Sequence, residues 1–404
     1  MTKLEQLINE LCPNGVEEKK LGDIATVSRG GNFQKKDYVE NGVPCIHYGQ
    51  IYTQYGLFVD KAISFISEEK ASKQKMAVKN DVIMAVTSEN IDDVCRCVAW
   101  LGDEAVAVSG HTAIIHHTIN PKYLVYFLHS TMFYKQKTKL AHGTKVIEVT
   151  PDKLLDIKIP VPPLEVQSEI VRILDNFTEL TAELTAELTA RKKQYEYYRD
   201  NLLKSQQEMK TVKLGSVCEV YDGTHQTPKY TNSGVPFVSV ENIDDLYGTT
   251  KYISVEDYVK YKIKPQIGDV FMTRITAGII GKCAVVDRND DLAYYVSLAL
   301  LRPDPSVLDS KFLKYYLESG WGRKELAKRI LWDATPTKIN KDDIGKVYIA
   351  LPPLDVQQRL VHVLDSFDAI CTDLNIGLPA EIVARQKQYE YYRDKLLTFK
   401  ELYK

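Results

Sequence analysis

Two stretches of the chain carry apolar residues at steps of three and four, the spacing of one face of an α-helix. The first follows Pro162-Pro163 and the second follows Pro352-Pro353. A proline pair suits a helix entry, because the amide that proline lacks has no partner in the first turn. The stripe residues that we expect to contact a partner are Phe177, Leu180, Leu184, Leu188, Tyr195, Tyr198, Phe367, Tyr389 and Tyr392.

Each predicted helix has one apolar face and therefore needs a partner. The simplest partner is the other helix, in an antiparallel coiled coil. The alternative is that each stripe packs on its own globular domain. A run of about 40 residues at 1.5 Å each extends about 60 Å, which is longer than a small domain. The length therefore favours the coiled coil.

The two helices are parts of an internal duplication. The motif Pro-Pro-Leu-x-x-Gln occurs at Pro162 and at Pro352. A second motif, Lys-Gln-Tyr-Glu-Tyr-Tyr-Arg-Asp, runs from Lys193 to Asp200 and recurs unchanged from Lys387 to Asp394. We call it the KQYEYYRD motif. The globular segments before these anchors match more loosely, as expected for two related domains that bind different targets.

The globular segments mix short β-rich runs with a helix near their ends. We expect strands over 78–86 and 105–115 and a helix over 121–139 in the first segment. In the second we expect strands over 269–273, 281–286 and 295–301 and a helix over 310–329. Strands and helices do not alternate regularly, so the pattern predicts an α+β fold rather than a doubly wound sheet.

These patterns divide the chain into five parts. They are an N-terminal helical segment (1–19), domain 1 (20–160), a central helix (161–208), domain 2 (209–350) and a C-terminal helix (351–404). The duplication predicts two similar domains separated by two long helices, with pseudo-twofold symmetry.

The formal net charge of −2 counts against a protein that coats DNA, because phosphate contacts need Lys and Arg. Local basic patches are still present, and no acidic residue occurs over 105–147. A basic helix end followed by a Gly/Thr-rich basic loop suits a DNA backbone and base edges. The alternative is a solvated cationic face. The candidates in domain 1 are Lys135, Lys137, Lys139, His142, Thr144 and Lys145, and those in domain 2 are Arg323, Lys324, Lys328, Arg329, Thr337 and Lys338.

A polar loop near the start of each domain is the second candidate surface. Asn, Gln, Lys, His and Arg side chains can bind base edges in the major groove. The loop residues concerned are Asn32, Gln34, Lys35 and Lys36 in domain 1, and Thr224, His225, Gln226 and Lys229 in domain 2, together with Arg274. A solvated polar loop is again the alternative.

No catalytic or metal-binding residue is assigned. The seven cysteines are scattered, which suits reduced thiols. Cys95 and Cys97 are one residue apart, closer than the ligands of a zinc knuckle. His111, Asp81 and Ser109 could be imagined as a triad, but no motif orders them. The absence of a long apolar run and of a signal core leads us to expect a cytoplasmic protein.

The first helix contains a tandem repeat of Glu-Leu-Thr-Ala that begins at Glu179, Glu183 and Glu187. Its plain interpretation is a solvated helix with a leucine edge. Its functional interpretation is a ruler, because one copy adds about 6 Å of helix. That length equals one or two DNA base-pair steps of about 3.4 Å.

Together the Pro-Pro-Leu-x-x-Gln motifs, the KQYEYYRD motif and the tandem repeat resemble the specificity (S) subunits of Type I restriction–modification enzymes, most closely the type IC group. The resemblance covers essentially the whole chain. It implies two target recognition domains that each bind one half of a bipartite double-stranded DNA site. It also implies helices that set the gap and dock two methyltransferase (M) subunits.

Under this resemblance the chain is a non-catalytic subunit of a prokaryotic complex and binds no cofactor itself. The M subunits would bind S-adenosylmethionine and methylate adenine. Restriction (R) subunits would translocate and cut DNA with ATP and Mg. Two alternatives remain: a recognition chain for a related enzyme with a fused methylase–nuclease, and a coiled-coil adaptor that binds no DNA.

Overall fold

The computed structural model of the protein describes residues 2–204, 210–372 and 377–402. They form two compact units: unit 1 comprises Met1–Leu184 and Ile382–Lys404, and unit 2 comprises Thr185–Glu381. Each unit therefore contains one predicted domain together with helix from both copies of the repeat. The predicted boundary between residues 208 and 209 lies outside the described residues.

Unit 1 begins with a short helix and continues into the strands of domain 1. Its strands are β1 Glu18–Lys20, β2 Ala25–Arg29, β3 Tyr38–Val39, β4 Val43–Ile46, β5 Phe58–Val59, β6 Ser64–Ile66, β7 Met76–Ala77, β8 Val82–Ala85, β9 Thr87–Ser88, β10 Cys97–Trp100, β11 Val106–Val108, β12 Thr112–His117, β13 Ile147–Glu148 and β14 Lys158–Pro160. Its helices are α1 Lys3–Leu11, α2 Leu21–Ile24, α3 Tyr48–Thr53, α4 Glu68–Ala71, α5 Pro121–Leu128, α6 Thr131–Leu140 and α7 Pro151–Leu154, with a 3-10 turn at Lys35–Asp37.

The long helix α8, Leu164–Leu202, starts in unit 1 and ends in unit 2. The strands of unit 2 are β15 Thr211–Lys213, β16 Cys218–Asp222, β17 Tyr230–Thr231, β18 Val235–Val238, β19 Tyr252–Ile253, β20 Val270–Thr273, β21 Cys283–Val285, β22 Ala293–Tyr294, β23 Leu298–Pro303 and β24 Tyr348–Ala350. Its helices are α9 Val255–Val259, α10 Ser310–Glu318, α11 Gly320–Ala327, α12 Lys341–Ile344 and α13 Leu354–Thr372, with 3-10 turns at Leu214–Ser216 and Val240–Asn242. The last helix, α14 Leu378–Leu396, lies mostly in unit 1.

The sheets of the two domains share one plan. Domain 1 contains the sheets β2-β12-β8-β10-β5 and β3-β6-β4-β11-β7, and domain 2 contains β16-β23-β20-β21 and β17-β19-β18-β22. The buried strands β12 and β23 are each flanked by antiparallel partners. Most neighbouring strands are antiparallel, and the helices of eight or more residues in each domain, α5 and α6 or α10 and α11, follow these sheets in the chain. Only short helices lie between the strands, so the predicted α+β class is confirmed.

The single helix predicted near the end of each domain is two helices. In domain 1 α5 ends before Ser130, and in domain 2 α10 ends before Ser319. Each serine has extended backbone and caps the next helix, accepting a hydrogen bond from Phe133 N or Gly322 N. Periodicity alone missed the break because the apolar pattern runs through it.

The start of each repeated helix is fixed to the domain that precedes it. The Gln167 side chain donates to Pro162 O (2.7 Å) and accepts from Asn120 N (2.9 Å). Gln357 makes the matching pair with Pro352 O (2.8 Å) and Asp309 N (2.8 Å). Both glutamines are buried, so the glutamine of the Pro-Pro-Leu-x-x-Gln motif joins helix entry to domain.

About two turns further on, a carboxylate of each helix binds a lysine and a tyrosine at matching positions of its domain. Asp175 accepts from Lys122 Nζ (2.6 Å) and Tyr126 OH (2.7 Å). Asp365 accepts from Lys311 Nζ (2.7 Å) and Tyr315 OH (2.7 Å). Charge-assisted hydrogen bonds of this kind are among the stronger ones in proteins.

The end of each repeated helix packs on the domain of the other copy. In unit 2 Asp200 accepts from Gly320 N (3.1 Å), the first amide of α11. In unit 1 Asp394 accepts from Thr131 N (3.2 Å) and from its hydroxyl, at the first residue of α6. These two aspartates close the KQYEYYRD motif, so each copy of the motif caps the helix after the serine break.

The predicted pairing of the repeated helices is confirmed. In unit 1 Phe177 stacks on Tyr392, with ring centroids 5.4 Å apart. In unit 2 Tyr198 stacks on Phe367 at 6.2 Å. The alternative, packing on the helix's own domain, also holds for the start of each helix, because Ile170 and Leu360 pack in the cores of the domains that precede them. Further along, Tyr389 lies near Tyr126 of the other copy's domain, with tilted rings 6.3 Å apart.

We predict that Asp394→Ala lowers the free energy of unfolding by about 1–2 kcal/mol, as loss of a helix cap does. Urea unfolding and limited proteolysis of the C-terminal helix measure the effect. Glu390→Ala, an exposed acid on the same helix, is the matched control. An Asp394→Ala protein that unfolds like its parent would contradict the capping role.

Candidate nucleic-acid interface

The polar loop after β2 in domain 1 lines an open cleft of about 550 Å³. Phe33 is buried and anchors the loop, while Asn32 and Gln34 on either side of it are exposed. Lys35 and Lys36 follow in an exposed 3-10 turn. A Cβ on Gly30 would overlap the Ser109 carbonyl oxygen, so glycine permits this close approach.

The opposite wall of this cleft carries three aromatic rings. Tyr48 lies between His47 and His111, with ring centroids 4.5 Å and 5.0 Å away. Burial lowers the pKa of His47, and its Nδ1 accepts from Gly49 N (3.2 Å). A neutral His47 with this bond carries its proton on Nε2 and has one donor left for a ligand.

The predicted basic loop of domain 1 is a hairpin that lies beside the cleft. His142 and Glu148 bridge its two arms, and Gly143 takes a φ of +109°. His142, Thr144 and Lys145 are exposed. Arg29 ties the hairpin to the cleft, because it binds Glu148 (2.9 Å) and the Gly110 carbonyl (2.9 Å). Sequence analysis missed Arg29.

The structure contradicts the predicted place of Lys137 in the basic DNA-binding patch. It is 6% exposed and its ammonium donates to the carbonyls of Asp92 (2.7 Å) and Val94 (2.7 Å). Burial lowers the pKa of Lys137. Lys135 and Lys139 are exposed and lie on the other face of α6. We therefore remove Lys137 from the interface and retain Lys135 and Lys139.

The matching loop of domain 2 lines a cleft of about 620 Å³. Thr224 fixes its backbone by donating to Tyr294 O (3.1 Å) through its amide and accepting from Gln226 N (3.2 Å) through its hydroxyl. His225, Gln226 and Lys229 are exposed, and Gln226 and Lys229 line the cleft. The predicted loops thus occupy equivalent places in the two domains.

The structure also contradicts the prediction that Arg274 is free to bind base edges. It is 6% exposed, is ion-paired with Asp222 and donates to Ile339 O (3.2 Å). Burial lowers the pKa of its guanidinium. Because Arg274 holds the cleft loop against the segment between α11 and α12, its role is structural. A base could be bound only after these contacts are broken.

The predicted basic residues of domain 2 differ in their exposure and in whether they form ion pairs. Arg323 and Lys324 are exposed on α11, with Lys324 above the Trp321 ring (5.1 Å). Lys328 and Arg329 both pair with Glu325, so their charge is partly neutralised. Thr337 and Lys338 are half-buried in the hairpin that follows.

Lys260 and Lys262 are cleft residues that sequence analysis missed. They flank Tyr261 on the wall opposite the Thr224 loop. Lys260 is paired with Asp257 (2.6 Å). The alternation Lys-Tyr-Lys could have indicated them, because basic residues interleaved with aromatic ones are typical of nucleic-acid surfaces.

The imagined triad does not assemble. Asp81 binds His116 (2.7 Å), whereas His111 binds the Thr87 hydroxyl (3.2 Å) and Ser109 accepts from Tyr48 N (3.0 Å). Among the described residues no three His, Cys, Asp or Glu side chains form a metal-binding group. Burial raises the pKa of Cys95 to about 12, so this thiol is inert.

No helix in residues 2–204, 210–372 and 377–402 is long and apolar enough to cross a membrane.

Comparison with known proteins identifies the family. The family described as Type I restriction modification DNA specificity domain matches the chain twice, over residues 13–191 and 206–384. The chain therefore belongs to this family. The two matches coincide with the duplication, and they favour DNA recognition over the protein-adaptor alternative.

Two named relatives agree. The putative type I restriction enzyme specificity subunit S.HindORF215P of Haemophilus influenzae is 32% identical over 314 residues, 74% of this chain and 76% of that protein. The EcoR124I/EcoR124II specificity subunit of Escherichia coli is 34% identical over 259 residues, 60% of this chain and 63% of that protein.

Solved structures share the fold. A chain from work on complex assembly and conformational transition of the type I R-M system has a TM-score of 0.65 at 22% identity, covering 96% of this chain and 98% of that one. The S subunit of M. genitalium has a TM-score of 0.50 at 14% identity, covering 98% of this chain and 99% of that one.

We predict opposite consequences for two neighbouring lysines. Lys137→Met leaves two buried carbonyls without a donor and lowers the free energy of unfolding by about 2–3 kcal/mol. Lys139→Ala leaves unfolding unchanged, weakens DNA binding and lowers the slope of log K against log salt by about one. Urea unfolding and DNA titrations at several salt concentrations distinguish them. Normal stability of the Lys137→Met protein would restore Lys137 to the interface.

Proposed function

We propose that the chain binds a bipartite double-stranded DNA site and holds catalytic subunits on it without doing chemistry itself. Domain 1 (20–160) would bind one half-site and domain 2 (209–350) the other. One observation carries the proposal: in both domains an exposed polar loop at an equivalent position lines a cleft, and a basic hairpin follows the second helix after the sheets. The cleft walls differ in their side chains, as two different half-sites require.

The side chains in the clefts are suited to base edges. Amide side chains at Asn32, Gln34 and Gln226 can bind adenine with two hydrogen bonds. The lysines around them, Lys35, Lys36 and Lys229, would contact phosphates and fix the position of the loop on the duplex. With amides on the bases and lysines on the phosphates, a chain of net charge −2 would bind DNA through two local patches.

The repeated helices would dock two methyltransferase subunits, one for each copy of the KQYEYYRD motif. Tyr197 and Tyr391 occupy the same position of the motif and are 66% and 62% exposed. Exposed tyrosines commonly anchor protein interfaces. Because the motif is identical in both copies, it offers the same surface twice, as two identical partners need. Restriction subunits would then join the complex.

S-adenosylmethionine would be bound by the methyltransferase subunits, and ATP and Mg by the restriction subunits. The chain would act in the cytoplasm of a prokaryote, where both DNA and these subunits are found. The proposal assigns to this chain only the positioning of DNA and partners.

Loop variants in the two domains test the division of the target. In the complex with methyltransferase subunits, Gln34→Ala should weaken binding of the target by about 10-fold, since a good bidentate base contact is worth about 1–3 kcal/mol. The loss should vanish when only the domain 1 half-site is altered. Gln226→Ala, the matched variant, should behave in the same way at the other half-site.

Competition titrations with duplexes altered in one half-site measure both effects. If each variant impaired both half-sites equally, independent recognition by the two domains would be refuted. Full binding by both variants would exclude these loops from base contact.

The tandem repeat provides a separate test. Deleting Glu183 to Ala186 removes one repeat copy, about 6 Å of helix. We expect the methylated target to keep both half-sites and to change its gap by one or two base pairs. Methylation mapping measures the gap. An altered half-site, or an unchanged gap, would refute the ruler hypothesis.

A further inference from the structure

The hairpin of domain 2, residues 331–338, exposes a large apolar ring. Trp332 is 64% exposed, whereas Trp100 is 2% and Trp321 is 38% exposed. Leu331 beside it is 43% exposed. Single exposed apolar residues are common on proteins, but an indole and a leucine at one hairpin form a patch that a ligand could cover.

The surroundings of the indole are basic. Residues 323–338 contain five Lys and Arg residues and two acids. Lys338 bridges Leu331 across the hairpin, and Arg323 and Lys324 are exposed on α11, whose last residue the indole contacts. An occupant of this surface must therefore combine negative charge with an apolar face. Duplex DNA has both, in its phosphates and in the faces of its bases.

The polar atom of the ring is already used. Trp332 Nε1 donates to Ala327 O at 3.3 Å, which holds the indole to the end of α11. The exposed part of the ring is hydrocarbon, so it cannot bind a base edge by a hydrogen bond. It can only pack against an apolar or aromatic surface, and a base face is such a surface.

The hairpin is connected to the cleft of its own domain. Thr276 N donates to Thr337 O (3.0 Å), and Arg274 N donates to Ser297 O (2.9 Å) while its side chain binds Asp222. Asp222 is one of the residues that line the cleft. Hydrogen bonds and the buried Arg274 side chain thus connect the hairpin that carries the ring to the cleft loop.

The hairpin of domain 1 also exposes an apolar side chain, but a smaller one. Its hairpin, bridged by His142 and Glu148, exposes Val146 to 57% next to Lys145. Arg29 connects that hairpin to its own cleft. An exposed apolar side chain therefore occurs on the hairpin of both domains, in the first arm at Trp332 and in the second arm at Val146.

We infer that Trp332 is a DNA-contacting wedge that packs its ring on a base of the half-site held by domain 2. Val146 makes the smaller, matching contact in domain 1. Apolar side chains that partly unstack a base step favour flexible steps, so the wedge adds recognition of DNA shape to the base contacts of the cleft. This inference rests on the proposed function and names a contact that function does not require.

The test uses the full chain with its methyltransferase subunits and duplexes carrying 2-aminopurine at single positions of the domain 2 half-site, away from the methylated adenine. Binding should change the fluorescence at one position. Trp332→Ala should abolish that change and weaken binding about 10-fold, and Trp332→Phe should retain most of both. Val146→Ala, the matched control, should leave the domain 2 signal intact.

Two results would overturn the wedge. One is unchanged affinity and fluorescence with Trp332→Ala in an intact complex. The other is loss of the methyltransferase subunits from a folded Trp332→Ala chain, which would assign the indole to a protein interface. Failure of the unaltered complex to bind any specific duplex would instead contradict the proposed function.

Discussion

A carboxylate at the end of each repeated helix holds the architecture together. Asp200 and Asp394 bind the first amide of α11 and of α6, so each unit is completed by helix from the other copy of the repeat. The cations beside them, Arg199 and Arg393, lie over Tyr195 and Tyr389 at 5.5 Å and 5.6 Å. The aspartate that caps a helix and the arginine that covers a ring are adjacent in each motif, so the two contacts fix the same helix end.

This constraint explains why some segments of the duplication are identical while others have diverged. The KQYEYYRD motif is identical in its two copies because it binds the same feature, a capped helix after a serine break, in both units. The cleft loops meet no such demand. Their backbone is fixed at Gly30 and Gly223, where a Cβ would overlap a neighbouring carbonyl, while the side chains that follow are free to differ. The segments that hold the two units together are thus separate in the sequence from the exposed side chains of the cleft loops.

The sequence allowed the architecture to be predicted because its signals were periodic or repeated. The helical stripes, the α+β class and the duplication all follow from such patterns. The break at Ser130 did not, since a capping serine inside an apolar period resembles any polar position. Nor did the exchange of helix ends between units, because Asp394 and Thr131 are distant in the chain and meet only in the folded unit.

Individual site residues were harder to predict. Lys137 and Lys139 are two positions apart and equally basic, but one faces the carbonyls of Asp92 and Val94 and the other faces solvent. Arg274 looked free in a polar loop and is buried by Asp222. Charge can be counted in a sequence, whereas the partner that neutralises it depends on contacts between distant segments.

We propose that this chain alone determines where its partner subunits act on DNA. The most direct measurement is a map of adenine methylation in a methylation-free bacterial host that expresses the neighbouring methyltransferase subunit with or without this chain. We predict a split motif with a fixed gap that appears only when the chain is present. Methylation of the same motif without the chain, or none in an assembled complex, would contradict the claim.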